Sequence, residues 1–284
     1  MCRYIRLALS TIVELWSSDS LLTEYNESWY RTHVYGPVFD NAFTYDKDFV
    51  AKRADCISNI TKEFVDIPNQ RVDFILRNLN DNTDYLYVEE KYGLKGVKKD
   101  IEKGKVLQQA MLRKWIKHVS NSKATHLEAV TGQWQEVKLT IIGTRYLSQY
   151  HSVTYKKGTF IIPKVINHLA SFSQTLAAVL SLKRLVYLNY KKLNIILETK
   201  KKFELELMQF QHDNDNDEFS FRSDSTEGYE NNNDEPKFID LNLDEDIIEA
   251  LQNIKNDDEL VTCKDWKEFI VKKTTRKRKS TVTN

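Results

Sequence analysis

Cysteine is nearly missing from this chain of 284 residues: Cys2, Cys56 and Cys263 are all there is. Three widely separated thiols, with no CxxC pair and no Cys/His cluster, exclude a disulfide framework and a zinc finger and fit a reducing compartment. Glycine (8) and proline (4) are also scarce, which excludes a collagen-like or wholly disordered chain. Uninterrupted apolar runs are missing too. Residues 7–16 are broken by Glu14 and lack a small-residue cleavage site, so they read as an amphipathic helix (Ile5, Leu9, Ile12, Val13, Trp16) and not as a signal peptide. Residues 169–188 carry Gln174, Lys183 and Arg184, which favours a buried helix over a membrane span. None of the six histidines (His33, His118, His126, His151, His168, His212) sits at HxH or HxxxH spacing, and the chain has no GxSxG, Walker A or GxGxxG motif.

What is present is enough to build a core: 41% hydrophobic residues and 11% aromatic. A net charge of +1 hides an uneven distribution. Residues 1–211 carry 31 bases and 22 acids (+9), residues 212–260 carry 3 and 17 (−14), and residues 261–284 carry 8 and 2 (+6). A basic body suits a polyanionic partner. The stretch HDNDNDEFSFRSDSTEGYENNNDE is acidic and low in complexity, so disorder is expected there, with a short acidic helix over 244–254. It is a candidate protein-interaction segment or a cover for the basic body. KKTTRKRK at 272–279 reads as a nuclear-import or nucleic-acid patch, which gives a nuclear expectation with the cytoplasm as the alternative.

Periodicity sets the expected elements. A helix over 1–24 precedes a second helical start near Ser28, which Gly36-Pro37 could kink or end. A strand is expected within 49–62. RVDFILR (71–77) and YLYVEEK (85–91) alternate as strands around the turn NLNDNT and should form a hairpin. Residues 97–119 have helical spacing, weakened at Gly104. Strand character returns over 126–163, with strands EVKLTII, YLSQYHSVTY and TFIIP separated by expected turns at Gly143-Thr144 and Lys157-Gly158. A long helix runs from Val165 to about Leu197. This order predicts an α/β domain whose mixed β-sheet is flanked by helices. The expected organisation is an N-terminal helix (1–24), an α/β domain (25–211), an acidic segment (212–260) and a basic tail (261–284).

On YLYVEEK, alternation puts Glu89 and Lys91 on one face and Glu90 on the other. Asp73 sits on the neighbouring strand. Magnesium prefers hard oxygen ligands, typically one or two carboxylates plus water and a substrate phosphate. An adjacent lysine can orient the attacking water and offset phosphate charge. The alternative reading is a solvated strand end, with Asp73 paired to Arg71 or Arg77.

The pattern Asp73, then Glu89-x-Lys91, resembles the PD-(D/E)XK nuclease superfamily across roughly residues 25–145, with Asp100 to Lys103 resembling a further Asp-x-x-Lys element of fungal-type members. Val72 replaces the proline of the motif. The resemblance implies a restriction-endonuclease-like core and a metal site of Asp73, Glu89 and Glu90 (through its carbonyl), with Mg as cofactor. Catalysis would rest on Lys91, Glu89 and Asp73, and Lys105 and Gln109 would be auxiliary positions. The implied function is a metal-dependent phosphodiester hydrolase acting on DNA. A catalytically inactive, nuclease-derived nucleic-acid- or protein-binding module is the alternative.

Overall fold

A computed structural model describes residues 2–214, apart from 45, 94, 118, 120–123, 149 and 150. The acidic stretch beyond Asn214, the helix expected at 244–254 and the basic run 272–279 lie outside the described residues. The described residues fall in two compact units that meet in sequence at Leu193 and Asn194. The first holds everything up to Leu193. The described part of the second is the final stretch of the last helix.

Helix α1 (Cys2–Ser17) buries Tyr4, Ala8, Ile12, Leu15 and Trp16 along one stripe, the 3.6-residue spacing expected of an amphipathic helix. Helix α2 (Glu27–Tyr30) starts at Asn26, whose side chain accepts from the Trp29 N–H as an N-cap. It runs into a π-helical segment, Arg31–Asp40, and then α3 (Asn41–Phe43). Gly36-Pro37 therefore does not end the helix. Pro37 lies inside the wider turns, where its missing N–H removes one bond from the ladder without stopping the rotation.

The sheet has six strands in the order β1-β2-β3-β4-β5-β6. They are β1 (Phe49–Ile57), β2 (Arg71–Asn78), β3 (Asp84–Lys91), β4 (Glu128–Gln135), β5 (Lys138–Ser148) and β6 (His151–Ile161). The short helix α4 (Asn59–Lys62) joins β1 to β2. β3 and β4 are parallel, bridged by helix α5 (Val97–Ile116), and every other neighbouring pair is antiparallel. This is the expected mixed sheet, and the β2–β3 hairpin is the expected one.

Strand boundaries after α5 differ from those expected. β4 (EAVTGQWQ) falls within the stretch of expected strand character (126–163), but its bounds are not among those expected. Glu136, read as a strand start, instead has φ 50° in the β4–β5 connection. Gly143-Thr144 lies in mid-strand, paired across to Val130 and Ala129. A Cβ at Gly143 would collide with Glu128 Oε1, so the glycine answers to packing and not to a turn. Lys157-Gly158 marks a register shift against Ile141 and Ile142, a bulge inside β6.

One face of the central strands, bearing Phe74 and Trp134, packs on Tyr35, Phe39 and Phe43 from the segment after α2. The other face is covered by α5, which buries Leu107, Gln108, Met111 and Trp115. Gly104 is buried at the crossing, where an added Cβ would stand 3.4 Å from Thr131 Oγ1, so the helix sits close to the sheet. The last helix, α6 (Leu169–Asn214), buries Phe172, Leu176, Val179, Leu182 and Val186. Its Asn189 amide donates to the backbone carbonyl of Glu128. No described helix is long and apolar enough to cross a membrane.

Candidate metal centre

The β2–β3 register sets Phe74 opposite Val88 and Ile75 opposite Tyr87. Alternation then assigns Asp73, Glu89 and Lys91 to the α5 side of the sheet and Glu90 to the α2 side. Asp73 stands at the strand end and reaches toward both. Its Oδ2 accepts from the Glu90 backbone N–H at 2.9 Å, and its Oδ1 accepts from Arg31 Nη2 at 3.2 Å.

On the α2 side, Arg31 is the hub. Its Nη2 donates to Glu27 Oε1 at 3.0 Å, and its Nε donates to Glu90 Oε2 at 2.7 Å. The other oxygen of Glu90 accepts from Arg53 Nη1, and Arg53 also holds Asp40. Arg53 is aimed there from a bulge in β1, where Ala54 and Asp55 adopt left-handed backbone angles (φ 61° and 50°). Glu27, Asp73 and Glu90 present carboxylate oxygens that all lie within 4.8 Å of one another. Burial raises the pKa of Glu27, and Asp73 adds to the shift.

On the α5 side, Glu89 is 5% exposed and Glu90 is fully buried, so this is no solvated strand end. Asp73 pairs with Arg31, and Arg77 pairs instead with Asp84. Glu89 Oε1 lies 2.7 Å from Lys103 Nζ as an ion pair, at an angle that makes no hydrogen bond. Burial pushes the Glu89 carboxyl up to about 8; Lys103 opposes this, while Asp73 and Asp100 add to it. Lys91 Nζ is 3.5 Å from Asp100 Oδ2, a buried oxygen with no hydrogen bond. Partial burial works against the Lys91 ammonium, but Asp100, Glu27, Asp73 and Glu89 outweigh it and raise its pKa.

The hairpin and α5 thus bring Asp73, Glu89 and Lys91 into one electrostatic neighbourhood, joined by Asp100 and Lys103. Lys105 lies farther along α5 and lines a groove beside β4–β6. Gln109 is exposed, while its neighbour Gln108 is buried, donating to the Ile142 carbonyl and accepting from Thr144. Sequence reasoning missed Glu27, Arg31 and Arg53. The only local signal for Glu27 is its place in the first turn behind the Asn26 cap. Arg31 and Arg53 become visible only once the sheet is assembled.

The acids gathered closely enough to share an ion are Glu27, Asp73 and Glu90, each through its carboxylate, hard oxygen donors that fit a divalent magnesium-type ion in chemistry; Glu89 is not in that group. The competing cation is Arg31, which already spans Glu27, Asp73 and Glu90.

No family model matches this chain, and no curated protein matches it. Among solved structures, a chain of the cryoEM structure of a DrdV–DNA complex is similar at a TM-score of 0.32 and 11% identity, over 63% of this chain. The match spans 14% of that chain, so this protein corresponds to a small part of its length.

Proposed function

We propose that this protein is a divalent-metal-dependent phosphodiester hydrolase of the nuclease type, with a restriction-endonuclease-like core, acting on DNA at Asp73, Glu89 and Lys91. The observation that carries the reading is the convergence of buried acid groups on one lysine at the β2–β3 strand ends. Ionisable groups perturbed by burial together with specific charge partners are the groups that functional sites draw on.

In this reading Asp73 and Glu89 hold the ion, with the Glu90 carbonyl beside them. A bound magnesium or manganese ion would supply Lewis acidity toward the scissile phosphate. Lys91 is kept protonated by its acidic neighbours. It therefore suits offsetting negative charge on the phosphoryl oxygens and orienting the attacking water, in preference to removing a proton. Lys103 restrains Glu89, and Asp100 restrains Lys91. The basic body, +9 over residues 1–211, would gather the polyanion. The basic run at 272–279 supports a nuclear location.

Purified protein with manganese should cut plasmid or oligonucleotide DNA, and Lys91→Ala should abolish the cutting. Equal activity in the variant would remove the reading.

A second reading, a nuclease-derived binding module without catalysis, is favoured by one observation: the Arg31 guanidinium already bridges Asp73, Glu27 and Glu90. Calorimetric titration with manganese separates the two. Tight binding that is lost in Asp73→Asn supports the hydrolase. No heat from the native protein supports the binding module.

A further inference from the structure

The face that carries Glu89 and Lys91 does not stop at β3. The parallel register sets Glu89 beside Gln133 and Lys91 beside Gln135. The next register sets Gln133 opposite Thr140 and Gln135 opposite Lys138. Cross-strand partners share a face, so a polar row runs from Lys91 through Gln135 to Lys138, two strand spacings or about 10 Å. Beyond it, Thr154 and Lys156 of β6 and Lys105 of α5 complete the wall of a groove of about 370 Å³.

The chemistry of this groove is one-sided. Lys105, Lys138 and Lys156 line it together with Gln133, Gln135, Thr140 and Thr154, and no carboxylate is among its described lining residues. Three neighbouring lysines are committed: Lys91 to Asp100, Lys103 to Glu89, Lys157 to Glu128. The three groove lysines make no ion pair with any described residue. A second, smaller cavity shares Ile101, Gln133 and Ile142 with the groove and is also lined by Glu89 and Asp100, which links the groove to the acidic centre. Uncommitted ammonium groups beside amide and hydroxyl donors are what a phosphodiester backbone requires, since phosphate contacts position a strand without reading its sequence.

We propose that the groove between α5 and β4–β6 holds the DNA backbone on one side of the scissile bond, with Lys105, Lys138 and Lys156 as its phosphate contacts. The position of the scissile bond rests on the hydrolase reading. Occupancy of the groove is measured without it.

The test is fluorescence anisotropy of a labelled single-stranded 20-mer and its duplex with the full chain in EDTA, so that nothing is cut. Lys138→Glu with Lys156→Glu should weaken binding at least tenfold at low salt. It should also flatten the dependence of log Kd on log salt by about 0.7 per lysine on a single strand and about 0.9 on a duplex. A control of equal charge change, Lys62→Glu with Lys202→Glu, should retain most of the affinity. If the reversal variant fails to fold, Lys138→Ala with Lys156→Ala should move both quantities in the same direction. With the native protein, a 4-thiothymidine-substituted strand should photocrosslink to peptides spanning 133–140 or 154–156. Equal losses in the groove and control variants, or no oligonucleotide binding by the native protein, overturn the proposal. Manganese binding without DNA binding would sink the groove and spare the metal site. DNA binding through the groove without manganese binding would do the reverse.

Discussion

Glu128 at the start of β4 and Glu89 near the end of β3 are both buried carboxylates of the same sheet, 2% and 5% exposed. Around Glu128 stand Lys157 at 2.6 Å, Arg145 at 3.1 Å and the Tyr155 hydroxyl. Burial alone would push its pKa up; Lys157, with Tyr155 and Arg145, outweighs that and holds it below the ordinary value. Glu89 has Lys103 within ion-pair distance and two acids in its field, and its carboxyl rises to about 8. The first site is neutralised as a folding element should be. The second is left short of positive charge.

The largest expected effect comes from breaking the neutralised site. Glu128→Gln leaves the buried Lys157 ammonium without its anion and should cost about 3–5 kcal/mol, read as a fall in thermal midpoint. The pH dependence sharpens the point. A carboxyl whose pKa is lowered on folding contributes stability that is complete above its unfolded value near 4.5 and is lost as pH falls through the lower folded value. Midpoints of the native protein should therefore drop in that acid range, and those of Glu128→Gln should drop less. Equal slopes would mean that Glu128 is not the group responsible.

Next in size is the charge-poor site. Lys91→Ala should reduce manganese-dependent cleavage by roughly 100-fold or more while shifting the melting midpoint by only a few degrees. A large stability loss with cleavage intact would make Lys91 a folding residue.

A smaller loss is expected from Gly143→Ala. Its methyl group would press on Glu128 Oε1 and force the cluster apart, at about 1–3 kcal/mol in chemical denaturation. A neutral outcome would show that the Glu128 cluster can give way.

The smallest effect should run in the opposite direction. Because the Glu89 pKa rises on folding, from 4.5 to about 8, its ionisation subtracts stability progressively as pH climbs through that window. Glu89→Gln should therefore be more stable than the native protein at pH 8.5, read as a higher thermal midpoint, and gain little at pH 5. Destabilisation at both pH values would erase the contrast between the two glutamates.

The hairpin was legible because Val72, Phe74 and Leu76 alternate and NLNDNT supplies turn chemistry. That alone located Asp73, Glu89 and Lys91. β4 was not legible. Its sequence mixes Glu128, Thr131, Gly132 and Gln133 into a strand buried almost throughout, so neither alternation nor an apolar run marks it. Gly143 and Gly158 looked like turns because a glycine freed for packing and a glycine freed for a bend are the same letter. Glu27 lies 46 residues before Asp73 in the chain, and nothing short of the folded sheet brings the two together.

The segment Arg31–Asp40 winds with more residues per turn than an ordinary helix. Removing one residue between 32 and 36 would let it tighten to normal pitch. With Phe39 and Phe43 anchored in the core, the tighter winding would make up much of the rotation lost with the residue, and the chain upstream would keep roughly its phase. Glu27 and Arg31 would then still face the side of the sheet that carries Asp73, drawn along the axis but not turned away from it.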